Sequence, residues 1–115
     1  NPILVDGAKY LGQHYPQIGT ASDPQRDTYY WYYATQVMCH MEGNHWETWK
    51  KQLFPMLRDS QVQNGAWAGR WNPRVAFPYR WCLPASRLYV TTMNLLSLEV
   101  EYRKLPLYVD LRKQK

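Results

Sequence analysis

The chain has 115 residues, 45% of them hydrophobic and 16% aromatic, with six Trp, ten Tyr and a formal net charge of +5. This length bounds the protein to a single domain with a modest core, and no apolar run reaches the roughly 18 residues that a membrane-spanning helix needs. The positive charge is diffuse, which favours solubility and mild attraction to anions but does not mark nucleic-acid binding. Cys39 and Cys82 show neither CxxC nor Cys/His metal spacing. A pair of thiols is the favoured reading and a disulfide stays open, so the redox compartment is undecided. The sequence starts at Asn1 with no signal-peptide pattern and no initiator Met. The expectation is a processed or exported product, or a portion of a longer one.

In chain order, Asn1-Pro2 is a helix start, with Asn at the N-cap and Pro at the first helical position. Leu4, Ala8, Leu11 and Tyr15 share one face up to Pro16, so a helix is predicted over 2–15. Pro16, Gly19, Ser22, Asp23 and Pro24 then mark a surface connection. Residues 26–41 are the densest stretch, with Tyr29, Tyr30, Trp31, Tyr32 and Tyr33 in succession. Tyr30, Tyr33, Ala34, Val37, Met38 and Met41 follow helical spacing. With Trp31 and Tyr32 on the other side, the pattern predicts a helix over 28–42 that is buried all round. Asp27 or Thr28 can cap its start, and Gly43 with Asn44 can end it.

Asn44 and Glu47 resemble a capping box for a third helix over 45–60. Trp46, Trp49, Leu53 and Met56 or Leu57 stripe one side of it, and Lys50, Lys51 and Arg58 lie off that stripe. Pro55 is expected to kink or divide this helix. Gly65, Gly69, Pro73, Pro78 and Pro84 predict a long loop over 63–86, and loops of that length are often functional. A last helix over 87–104, capped by Ser86 and stopped by Pro106, carries Tyr89, Met93, Leu96 and Val100 on one face. Val90, Leu95 and Leu98 lie on another, so this helix is also expected to be buried on most sides. The tail over 109–115 is polar and basic. The chain therefore reads as one all-α domain over 1–115.

Leu57-x3-Gln61-x3-Gly65-x-Trp67 resembles the Gln-Trp repeat of squalene-hopene and oxidosqualene cyclases, and the stretches 27–71 and 88–108 resemble the carboxy-terminal portion of prenyltransferase/squalene-cyclase repeat proteins. The resemblance implies an α/α toroid of which this chain supplies about two hairpins, a ring that cannot close within one chain. It also implies that Gln61 bonds backbone at a helix end and that Trp67 is buried across the turn between hairpins.

The family's chemistry does not transfer with the motif. No Asp-x-Asp-Asp box is present. Where the zinc-binding prenyltransferases carry a His ligand, the matching run Asp27-Thr28-Tyr29-Tyr30-Trp31-Tyr32-Tyr33 has Tyr30, and a neutral phenol is a poor zinc ligand. His14, His40 and His45 do not converge in any metal spacing. No catalytic residue, metal or cofactor is therefore expected.

Trp67, Trp71, Phe77, Tyr79 and Trp81 are interleaved with Arg70, Arg74, Arg80 and Arg87. Either these aromatics close the base of the hairpins while the arginines pair with carboxylates, or they form a surface for a ligand or partner. Two functions compete. One is a non-catalytic structural or interaction module that assembles with itself or with a larger complex. The other is the carboxy-terminal fragment of an isoprenoid cyclase or transferase, whose hydrophobic pocket would be lined by Tyr29, Tyr30, Trp31, Tyr32 and Tyr33. The first is favoured, with another protein chain as partner and nucleic acid disfavoured.

Overall fold

The computed structural model describes residues 1–20, 22, 25–72 and 86–103. The order is α1 (Pro2–Leu11), α2 (Thr28–Met41), α3 (Gly43–Ser60) and α4 (Ser86–Leu98). Among the described residues there is no strand beyond single-residue bridges at Gly19 and Asp27. The protein is mainly helical, as its periodicity predicts. None of the described helices is long and apolar enough to cross a membrane.

Asn1 caps α1 by accepting the Ile3 N–H at 3.0 Å, with Pro2 in the first turn. The helix ends at Leu11, short of the predicted limit. Gly12 and His14 donate to the Ala8 and Leu11 carbonyls, and the His14 ring nitrogen Nδ1 lies 2.8 Å from the Tyr10 carbonyl oxygen, closing the end of the helix. Tyr15 is therefore outside α1, yet its ring still packs on Trp49 with centroids 5.9 Å apart.

Asp27 caps α2, its Oδ1 accepting the Tyr30 N–H at 2.9 Å. The turn into α3 takes a single residue. Glu42 has φ 58° and Gly43 has φ 58° as well, a backbone region open to glycine but strained for glutamate. This reversal corrects the capping-box reading. Since α3 already starts at Gly43, Asn44 lies inside its first turn, and no side chain caps that helix. The α3 helix continues undivided through Pro55.

The predicted stripe of α3 is the observed one: Trp46, Trp49, Leu53 and Leu57 are buried, and Leu57 rather than Met56 completes it. Each such side chain contributes on the order of 1.5–3 kcal/mol by leaving water. On α2 the inward residues are Thr28, Trp31, Ala34, Thr35, Met38 and Cys39. Tyr29, Tyr33 and Val37 are exposed, so α2 is one-sided and not buried all round. On α4 the inward residues are Val90, Asn94 and Ser97, followed by Val100 in the turn beyond the helix. Leu88 and Leu95 face solvent, which corrects the expectation of a helix covered on most sides.

Helix α2 is the centre of the fold, packing against α1, α3 and α4. Polar atoms join the layers. Thr35 Oγ1 donates to the Trp31 carbonyl one turn back and accepts the Trp49 indole N–H at 3.0 Å, so a threonine beneath an indole satisfies both groups inside the core. Beyond α4, Glu101 Oε1 accepts from both the Trp46 indole and the Lys50 ammonium, each at 2.8 Å. That carboxylate holds the turn after α4 onto α3.

Candidate functional site

Residues 61–72 build the most distinctive local structure. Val62 donates its N–H to the Arg70 carbonyl and Gly69 donates to the Val62 carbonyl, both at 2.8 Å. These bonds close the chain into a compact turn of the kind that carries function elsewhere. Gly65 and Gly69 both have φ 82°, a conformation for which glycine carries no steric penalty. Gln61 Nε2 donates to the Gly69 carbonyl at 2.9 Å. The motif glutamine thus binds backbone, but inside the turn that follows its own helix and not at a neighbouring helix end.

The two tryptophans of the turn lie on opposite sides of it, and Trp67 is not where the resemblance puts it. Trp71 is only 3% exposed; its indole donates to the Leu57 carbonyl at 2.9 Å and its backbone N–H to Thr91 Oγ1 at 3.3 Å. Trp71 therefore pins the turn between α3 and α4. Trp67 is 47% exposed, which corrects the expectation that it is buried. The reason is local: the spacing that picks out Trp67 leaves it on the outer side of the turn, while Trp71 reaches the carbonyl of Leu57 near the end of α3, which the Ser60 hydroxyl also bonds.

The Trp67 ring is not bare. The Arg70 guanidinium carbon lies 4.5 Å from its centroid, and that of Arg87, on the first turn of α4, lies 4.1 Å away. Cation–π attraction draws both charges to the ring face. Arg70, Arg87, Leu88 and Thr91 line an adjoining groove of about 320 Å³. A second groove, of about 410 Å³, lies between the end of α1 and the first turns of α3 and is lined by Lys9, Gln13, His45 and Thr48 among others.

The five aromatics at the start of α2 do not act as a set. Trp31 is buried, Tyr30 and Tyr32 are half-buried, and Tyr29 and Tyr33 face out. Tyr29 and Tyr33 pack ring to ring with centroids 4.6 Å apart, and Tyr32 meets Tyr33 edge-on at 5.0 Å. Neither groove is lined by any of them. The Tyr30 hydroxyl donates to the His14 carbonyl at 2.8 Å. Burial raises its pKa above the ordinary 10.0, with Tyr10 and Asp27 adding to the effect.

Phe77, Tyr79, Trp81, Arg74, Arg80 and Cys82 lie outside the described residues, as does the basic tail over 109–115. No group of three or more His, Cys, Asp or Glu side chains converges as a metal site among the described residues. Sequence reasoning missed Thr35 and Glu101, polar residues whose value depends on distant partners. Comparisons with family models, with curated proteins and with solved structures gave no match to this chain.

Proposed function

We propose that the chain is a non-catalytic interaction module that works by assembling with another chain, either a second copy or a member of a larger complex. The observation that carries this reading is the outer stripe of α2. Tyr29, Tyr33 and Val37 repeat at one-turn spacing, all are exposed, and the two tyrosine rings already pack against each other, tilted by 50°. Rigid aromatic side chains of this kind are enriched in protein interfaces because they bury large areas with little loss of rotamer freedom. Ile3, 77% exposed, and Leu4 extend the exposed apolar surface of the protein onto α1.

The finer architecture, a segment of an α/α toroid, belongs to the same proposal. Its support is the sequence resemblance together with the position of α2 between α3 and α4; the exposure of Trp67 weighs against the Gln-Trp repeat as its organising motif. The isoprenoid-enzyme reading has less support, since the aromatic run of α2 turns partly outward and lines neither groove.

Sedimentation of the isolated chain at micromolar concentration tests the proposal. Self-association, or binding of a hydrophobic dye that Tyr33→Ser with Val37→Ser abolishes, is the expected result. A folded monomer of 13.8 kDa that binds no dye overturns it.

A further inference from the structure

We infer that Trp67, Arg70 and Arg87 form a carboxylate-binding clamp for an acidic, partly apolar segment of a partner protein, an inference that rests on the interaction-module reading and specifies the chemistry of the partner. Three observations converge on it. First, both guanidiniums lie against one ring, at 4.5 and 4.1 Å from its centroid, so their charges are no farther apart than the sum of those distances. Two cations held that close raise the local positive potential, and both side chains are exposed to an incoming ligand. Packing on the indole orients the planar guanidinium forks, whose paired N–H groups match the two oxygens of a carboxylate.

Second, no acid among the described residues neutralises them. Neither arginine forms an ion pair among the described residues; the ion pairs there are Lys9–Asp6, Lys50–Glu101 and Arg58–Asp59. The sequence itself explains this: from Ser60 to Leu98 it contains no Asp or Glu, and Arg70, Arg74, Arg80 and Arg87 are its only charged residues. A counter-charge for this stretch has to come from elsewhere, and charge complementarity of that kind steers and orients a partner.

Third, the groove beside the arginines has Leu88 and Thr91 in its wall, and Leu88 is 73% exposed. A ligand that meets both cations and this wall combines a carboxylate with an adjacent aliphatic side chain. A nucleic-acid strand fits less well. The Trp67 ring already carries two guanidiniums within 4.5 Å of its centroid, where a stacked base would sit.

Calorimetric titration with the peptide Gly-Leu-Glu-Glu-Leu-Glu-Gly tests the clamp, with Gly-Leu-Gln-Gln-Leu-Gln-Gly as its neutral analogue and oligothymidine as the nucleic-acid arm. The acidic peptide should bind at low salt and weaken as salt rises, and the amide analogue should bind about tenfold more weakly. Arg70→Gln combined with Arg87→Gln should lower affinity by a similar factor, while Arg58→Gln, which is not in the groove lining, leaves it unchanged. Should the glutamine pair lower the melting temperature, the pair Arg70→Lys and Arg87→Lys keeps the charge and should keep binding. Equal affinity for the two peptides, a glutamine pair that binds like the unchanged chain, no binding at all, or tighter binding of oligothymidine each overturn the clamp. Sedimentation separates this failure from failure of the assembly reading. A chain that binds the acidic peptide but stays a dye-silent monomer loses only the latter; one that associates but ignores the peptide loses only the clamp.

Discussion

Trp67 and Trp71 stand in the same turn and are used in opposite ways. Trp71 puts its ring into the core and its N–H on the Leu57 carbonyl, joining the turn to α3 and α4. Trp67 keeps its ring outside and covers it with Arg70 and Arg87. In a chain this rich in aromatics, ring count distinguishes neither core from surface nor structure from recognition. The partner of each ring does: a backbone carbonyl marks the residue that holds the fold, and a pair of cations marks the one left at the surface.

The largest effect that tests this contrast comes from truncation. Trp71→Ala should cost about 3–5 kcal/mol of stability, as loss of a buried indole does, whereas Trp67→Ala should cost about 1 kcal/mol or less, in keeping with an exposed position. Urea unfolding of both variants measures the difference, and a larger loss for Trp67 would break the comparison. A finer cut isolates the hydrogen bond. Trp71→Phe keeps most of the ring and removes the indole donor to Leu57, whose carbonyl still accepts from the Ser60 hydroxyl at 3.1 Å, so it should cost only the net value of one hydrogen bond, about 0.5–1.5 kcal/mol.

A smaller effect, of opposite sign, is expected at Asn94. Its side chain is buried, and its Oδ1 has no hydrogen-bond partner among the described residues. Asn94→Leu should therefore be neutral or raise stability by about 1 kcal/mol, and a clear loss in thermal melting would show that the amide is held by a partner after all.

The smallest effect is on pH dependence. Tyr30 titrates above its ordinary value because of burial, then Tyr10 and Asp27, and Lys50 does so mainly because of its hydrogen bond to Glu101. Both groups hold their proton more firmly in the folded chain. Their contribution is complete below the ordinary values of 10.0 and 10.5 and is lost as pH rises through the folded values. The melting temperature should fall on that alkaline side, and less steeply in Tyr30→Phe. Binding of the acidic peptide to the groove beside Trp67 should persist along this alkaline side until unfolding begins. Loss of binding well before unfolding would mean that a titrating group shares the groove.

Much of the helical layout was legible in the sequence because it depends on neighbours along the chain. Asn1 with Pro2, Asp27, and the spacing of Trp46, Trp49, Leu53 and Leu57 are local signals, and the structure follows them. The orientation of α2 was not legible. Five consecutive aromatics give a periodicity with no contrast, and the inward face is set by Thr28 and Thr35, which hydropathy alone places outside. The same holds for α4, where Asn94 and Ser97 are buried while Leu88 and Leu95 are not. At the candidate site, the sequence brought Trp67, Trp71, Arg70 and Arg87 to attention. Which tryptophan turns inward depended on a carbonyl of α3 and a hydroxyl of α4, and no local pattern reports those.

The central position of α2 has a consequence for how the chain reaches its fold. Its contacts with α1 and α3 join segments close in sequence, so they close short loops and lose little chain entropy; those with α4 span a much longer separation. Topology of this kind favours a transition state in which α1, α2 and α3 have already condensed and α4 docks afterwards. Substitutions at Met38 or Leu53 should then slow folding, while those at Val90 should mainly speed unfolding. On that route the clamp is the last part of the described structure to form, because Arg87 reaches Trp67 only when α4 arrives.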